Sequence, residues 1–243
     1  MANVLITGCD KGIGLGLVQE YLKKPDIHHV IATCLDPKHD DELKKINDPR
    51  LHIVKMDVTC DKAIKKAVEE TSKIVGDCGL NILVNNAGIL ENYQSDASPD
   101  RKLITQHLVT NAISPVIVIQ YFLPLLKKAA EKSTVCRLVN ISSNLASITR
   151  EIENEGSTEK GYLAYSMSKA AMNAMTKCMA TDLKQYGIIT AAFHPGWVRT
   201  DMGGPEAPTT VDESAFSLVQ QFADLSIEKS GGYYDRTGEP LPY

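Results

Sequence analysis

Short apolar runs alternate with longer stretches of helical periodicity from one end of the chain to the other. Runs rich in Val, Ile and Leu predict strands over 3–7, 29–34, 52–57, 82–85, 137–142, 188–194 and 232–235. Between them, apolar positions recurring every three to four residues predict helices over 14–23, 40–46, 61–75, 99–132, 162–186 and 211–225. Ser98 followed by Pro99 marks one helix start, with Ser as the cap and Pro at the first helical position. The strand runs are nearly continuous in apolar residues, as strands covered on both faces should be. Strict strand–helix alternation implies an α/β fold: a doubly wound sheet of about seven parallel strands with helices on both faces. No internal repeat, low-complexity tract or linker interrupts the pattern, so residues 1–243 are expected to form one domain.

Two segments break the rhythm. Residues 144–161 are polar and carry Glu151, Glu153, Glu155 and Glu159, while Gly203, Gly204, Pro205 and Pro208 fall in a second irregular stretch starting at Thr200. In open α/β sheets ligands bind beyond the carboxyl ends of the strands, where both segments begin. The stretches 144–161 and 200–223 are therefore expected as substrate loops, although a solvated loop would read the same way.

Composition narrows the setting. The chain is 43% hydrophobic with a net charge of −4, too apolar and too weakly charged for a disordered protein. It has no basic clusters, so no nucleic-acid partner is expected. Its six cysteines form no CxxC pair and no Cys/His cluster at zinc spacing, which points to reduced thiols, a cytoplasmic setting and no metal. The longest apolar run, 112–126, is broken by Pro115, Gln120 and Pro124 and is too short for a bilayer, so no membrane partner is expected. The strand signal starts almost at Met1, leaving no room for a signal peptide.

The chemistry sits in four motifs. The first strand runs into Thr7-Gly8-Cys9-Asp10-Lys11-Gly12-Ile13-Gly14-Leu15-Gly16, which opens a helix. Glycines there allow a tight turn and close backbone approach to a phosphate, and a helix N-terminus offers free N–H groups. Asn85-Asn86-Ala87-Gly88 follows another strand, Tyr165 and Lys169 lie one turn apart on a helix, and Pro195-Gly196 with Val198 and Thr200 follows a third strand. A free phenol has a pKa of about 10, and lowering it by three units needs roughly 4 kcal/mol. One ammonium about 4 Å away supplies that order at an effective dielectric near 20. Lys169 is therefore expected to lower the pKa of Tyr165.

These motifs, in this order and spread over nearly the whole chain, resemble those of the short-chain dehydrogenases/reductases. The runs His194-Pro195-Gly196-Trp197-Val198 and Thr200-Asp201-Met202-Gly203-Gly204 are similar to the sniffer-type carbonyl reductases of that family. The resemblance implies a Rossmann-type fold and hydride transfer between a nicotinamide cofactor and a small carbonyl substrate. It implies Tyr165 as proton donor, Ser143 (with Ser142 as fallback) bonding the carbonyl oxygen, and Lys169 and Asn111 supporting the proton path. Ser143 and Tyr165 stand farther apart than in short family members. Cofactor contacts carried over in the same way are Gly8, Lys11, Gly12, Ile13 and Gly14, then Asp57 and Val58 at the adenine, and Asn85, Ala87 and Gly88. Tyr165 and Lys169 belong to this set as well, and Pro195, Gly196, Val198 and Thr200 frame the nicotinamide.

NADPH is expected over NADH. The family's NAD-selecting acid would fall at Cys34, Leu35 stands where NADP-preferring relatives often carry Arg, and Lys11 matches a basic residue that NADP-binding relatives use. Asp36, followed by Pro37, is expected to open a turn instead of meeting the ribose. Pro115, four residues after Asn111, removes the N–H that would bond the Asn111 carbonyl and should kink the helix there, freeing that carbonyl for a water. Tyr93, Leu145, Trp197 and Met202 are candidate substrate-pocket residues, and His194 reads as structural. The expected activity is NADPH-dependent reduction of a ketone, aldehyde or quinone. Alternatives are an NAD-dependent alcohol dehydrogenase and a non-catalytic dinucleotide-binding redox sensor, though a sensor needs no proton donor. The apolar faces of 99–132 and 162–186 resemble the family's subunit-pairing helices, which implies a homodimer or higher homo-oligomer.

Overall fold

The structure is a computed structural model describing residues 1–38, 41–132, 135–149 and 161–243. Most of the acidic stretch expected as a substrate loop over 144–161 thus lies outside the described residues. Seven parallel strands form one sheet: β1 Ala2–Ile6, β2 Ile27–Cys34, β3 Leu51–Lys55, β4 Ile82–Asn85, β5 Cys136–Ile141, β6 Ile188–His194 and β7 Tyr233–Asp235. Their order is β3-β2-β1-β4-β5-β6-β7, so the chain reverses direction between β1 and β4. In a doubly wound sheet that reversal opens a crevice at the carboxyl ends of the two strands.

The nearly continuous apolar runs are explained by two buried layers. Val4 and Ile6, Val30 and Ala32, Ile82 and Val84, and Val139 and Ile141 face one layer with Leu17, Val18, Leu218 and Phe222. These helical partners come from α1 Gly12–Leu22 and α7 Val211–Ala223, and Leu43 of the short α2 Asp41–Lys44 joins them. The intervening Leu5, Ile31, Leu83 and Leu138 face the other way. There they meet α3 Asp61–Val75, α5 Ser114–Ala130 and α6 Leu163–Leu183 through Ile64, Phe122 and Leu183.

The helix expected over 99–132 is two helices, α4 Arg101–Leu108 and α5, joined by a π-turn at Val109–Ile113. Pro115 sits in the first turn of α5. The helix therefore widens one turn ahead of the proline: the Ser114 N–H reaches back to the Val109 carbonyl instead of leaving a simple kink. The start signal is also displaced. Asp100, not Ser98, caps α4, its carboxylate accepting from Leu103 N at 3.0 Å. Arg101–Ala130 is long and apolar enough to cross a membrane by length and composition, but Val118, Ile119, Phe122 and Leu126 are buried against the sheet.

A polar seam runs through the second layer. Asn85 Nδ2 donates to Asn140 Oδ1 at 2.9 Å, Asn140 Nδ2 to Thr176 Oγ1 at 2.9 Å, and Thr176 Oγ1 to the Met172 carbonyl at 2.8 Å. One step on, Ser142 Oγ donates to Asn173 Oδ1 at 2.7 Å. These bonds fix the register of α6 against β4 and β5.

At the opposite end of the sheet, His29 Nδ1 and His52 Nε2 lie 2.9 Å apart across the β2–β3 pair, with the His28 ring 4.0 Å from that of His29. Partial burial, with repulsion from His28, holds both His29 and His52 below the ordinary imidazole pKa, and His52 lowers His29 further. An unfolded chain therefore binds more protons than the folded one as the pH falls below about 6.5. Stability is complete above that value, declines as the pH drops below it, and levels off once the folded imidazoles are protonated. Melting temperatures measured from pH 8 to 5 should fall in this window, and His52→Gln should flatten the decline; equal slopes in the two proteins would rule out the histidine pair as its origin.

Candidate active site

A groove of about 700 Å³ opens at the carboxyl ends of β1 and β4, at the topological switch. Its floor is the glycine turn. Gly8 adopts a left-handed φ of 68°, and a Cβ there would lie 2.9 Å from Ala87 Cα. Gly14 is tighter still: a Cβ would sit 2.1 Å from the Gly8 carbonyl oxygen and 2.6 Å from Asn86 Nδ2. Asn86 ties the turn to the end of β4, its amide donating to the carbonyls of Thr7 at 2.8 Å and Gly8 at 2.9 Å. Thr7 Oγ1 returns the tie by accepting from the N–H groups of Asn86 and Ala87, both at 3.0 Å.

Of the residues the sequence proposed for the cofactor, Gly8, Lys11, Gly12, Ile13, Gly14, Asp57, Val58, Ala87, Gly88, Tyr165, Lys169, Pro195 and Thr200 line this groove. Asn85, Gly196 and Val198 do not. The Asn85 side chain is spent in the buried seam with Asn140, and the motif's neighbouring Asn86 reaches the groove in its place. Val198 is buried and bridges to Thr209, while Gly196 turns the chain beside Arg236. Lining residues that the sequence did not single out include Ile89, Thr110 and Arg199, which flank motif positions without belonging to the motifs. Buried Cys34 and exposed Leu35 also line the groove, while the Asp36 carboxylate accepts from Lys38 N at 3.1 Å, as the expected turn requires. Asp57 accepts from the N–H and hydroxyl of Thr59, so it closes a turn while it lines the groove. Lys11 bridges to Asp201 across the mouth at 2.8 Å, with both side chains largely exposed.

At the inner end, α6 presents Tyr165 and Lys169, which are 7% and 4% exposed. Lys169 Nζ donates to the Ile141 carbonyl at 2.7 Å and stands 5.7 Å from the centre of the Tyr165 ring. The Ser143 hydroxyl is near enough to the Tyr165 phenol to favour its ionised form, while it donates to Asn144 Oδ1 at 3.3 Å and accepts from Leu145 N at 3.2 Å. The expected drop in the phenol's pKa is absent. Burial pushes Tyr165 up to about 12, opposed by the Ser143 hydroxyl, and burial lowers Lys169 to about 8. Desolvation outweighs the ammonium because both groups are buried together and the amine is turned toward a carbonyl.

Ser142, the fallback serine, is among the residues lining the groove, whereas Asn111 and Ser143 are not. Asn111 is fully buried and clamps Ile89, accepting its N–H and donating to its carbonyl, both at 2.9 Å, while also donating to Ser168 Oγ at 3.0 Å. Met202 lines the groove; Tyr93, Leu145 and Trp197 do not, and Trp197 Nε1 is bonded to the Gly203 carbonyl at 2.7 Å. The acidic residues Glu151, Glu153, Glu155 and Glu159 lie outside the described residues.

Residues 2–210 match the family described as short chain dehydrogenase. A short-chain dehydrogenase, RED3, of Pyricularia oryzae is 32% identical over 99% of this chain and 98% of its own length. Among solved structures, the carbonyl reductase Sniffer of Drosophila melanogaster is 36% identical with a TM-score of 0.93, covering 100% of both chains. An NADPH-bound carbonyl reductase from chicken fatty liver is 36% identical with a TM-score of 0.94, over 100% of this chain and 99% of that one.

The crowding at Gly14 has a direct consequence. Gly14→Ala must push the Gly8 carbonyl away and break its bond with Asn86, at a cost on the order of 2 kcal/mol. Urea unfolding should report that loss; a G14A protein as stable as its parent would show that the turn widens freely.

Proposed function

The chain belongs to the short-chain dehydrogenase family, and from that premise we propose that it is an NADPH-dependent carbonyl reductase. The observation that carries this reading is a neutral, buried phenol on the same helix face as a buried lysine, at the closed end of a groove with a glycine-turn floor. NADPH, when bound, supplies the hydride. The glycine turn and the N-terminus of α1 would hold its pyrophosphate, Lys11 the 2′-phosphate, and Tyr165 and Lys169 the nicotinamide ribose. Solved carbonyl reductases of this fold that carry NADPH or NADP support the choice of cofactor.

Tyr165 donates the proton to the carbonyl oxygen, and Ser143 holds that oxygen by a hydrogen bond. A phenol with a pKa near 12 is fully protonated at pH 7, the form a donor needs for reduction. The same shift disfavours the reverse reaction, alcohol oxidation, which needs the phenolate. Lys169, with its pKa near 8, is poised to pass a proton inward, and Asn111 holds the wall beside it. Substrates are small ketones, aldehydes or quinones that enter past Met202.

Six scattered cysteines with no CxxC pair suit a reducing, cytoplasmic setting. Exposed Ile113, Leu163 and Met167 on the π-turn and α6 suit a homodimer paired through those helices.

Tyr165→Phe should abolish NADPH consumption against a panel of quinones, ketones and aldehydes while leaving NADPH binding intact by calorimetry; retained turnover would sink the assignment. Lys11→Ala should weaken NADPH about tenfold or more, the size of a charge-assisted hydrogen bond, and leave NADH affinity unchanged. Equal losses for the two cofactors would remove Lys11 from the 2′-phosphate.

A further inference from the structure

Ser143 stands just past the end of β5, and a hydroxyl there is only as well aimed as the backbone that carries it. That backbone is held from three sides. The Ser142 N–H donates to the Phe193 carbonyl at 2.7 Å, extending the sheet one residue beyond β5. Ser142 Oγ is bonded to Asn173 of α6. From the far side, the phenol of Tyr233 on β7 donates to the Ser143 carbonyl oxygen, which also accepts the Ala146 N–H at 2.9 Å. Tyr233 is 2% exposed and does not line the groove. Its hydroxyl reaches from the sheet's edge strand, past β6, to a residue 90 positions earlier.

The segment leaving Ser143 is tied at its other end too. The Tyr243 carbonyl oxygen accepts from the N–H of Thr149 at 2.9 Å and from its hydroxyl at 2.6 Å. The Tyr243 ring lies 5.7 Å from that of Tyr233, and its phenol donates to the Gly231 carbonyl. A buried tyrosine that merely satisfies its own hydroxyl can use any carbonyl within reach. This one uses the carbonyl of the residue whose side chain lies near the Tyr165 phenol.

We propose that Tyr233 is a positioning residue: its hydroxyl fixes the peptide of Ser143 and so aims the seryl hydroxyl at Tyr165 and at the substrate's carbonyl oxygen. Without it, that carbonyl keeps only the Ala146 N–H, and the peptide loses the one tie that reaches it from β7. The proposal rests on the carbonyl-reductase roles of Ser143 and Tyr165.

Tyr233→Phe keeps the buried ring and removes only the hydroxyl. NADPH affinity should be unchanged, and kcat for carbonyl reduction should fall about tenfold, the effect of losing one oriented hydrogen bond. The rising limb of the pH profile for alcohol oxidation should move to higher pH, because the Ser143 hydroxyl opposes the upward shift that burial imposes on Tyr165. A folded Y233F protein with unchanged kcat and pH profile would overturn the proposal and leave Tyr233 as packing. A Y233F protein that no longer binds NADPH would overturn it as well, since the hydroxyl would then be holding the fold. Ser143→Ala, measured alongside, separates the two layers. Full turnover in S143A removes the role of Ser143 itself, whereas an impaired S143A beside an unimpaired Y233F removes only Tyr233.

Discussion

Helix α6 hangs from the sheet by hydrogen bonds buried between two apolar layers, and the candidate chemistry depends on where those bonds put it. An apolar helix face laid on apolar strands can slide, since most small displacements bury nearly the same area. The chain of Asn85, Asn140 and Thr176, with Ser142 and Asn173 beside it, removes that freedom. Leaving any one of these buried groups unpaired costs about 1–3 kcal/mol, so one register is selected. Tyr165 and Lys169 inherit their positions from that choice.

The same burial that makes the seam strict also sets the electrostatics. Tyr165 and Lys169 are taken out of water together, and each is driven toward its neutral form. Burial thus leaves a protonated phenol beside an amine whose pKa is lowered to about 8. Two fixed charges would cost far more to bury. In the proposed reading, the preference for reduction rests on desolvation as much as on any specific contact.

The sheet was legible from the sequence because doubly covered strands leave a long apolar trace. The strand at Ile188–His194 and the helix at Asp61–Val75 fall within the expected bounds. What escaped depends on geometry that spacing does not encode. Asp100 takes the cap from Ser98 because its carboxylate reaches Leu103 N, and Pro115 widens the helix into a π-turn where a kink was expected. Within Asn85-Asn86, the end of β4 divides the roles: Asn85, still in the strand, bonds Asn140 in the core, and Asn86, just past it, bonds the glycine turn at the groove. Tyr233 was invisible for another reason. Its partner is a backbone carbonyl 90 residues away, and a motif records side chains only.

The Lys11–Asp201 bridge joins the turn after β1 to the loop after β6, and both charges stand in solvent. Exposed pairs weaken as dissolved ions gather around them, over a screening length of about 8 Å at physiological salt. The bonds between Asn86, Thr7 and Gly8 beneath it join uncharged groups and do not respond in that way. The groove is therefore built from two materials: a floor indifferent to ionic strength and a rim whose grip loosens as the surrounding solution becomes more saline.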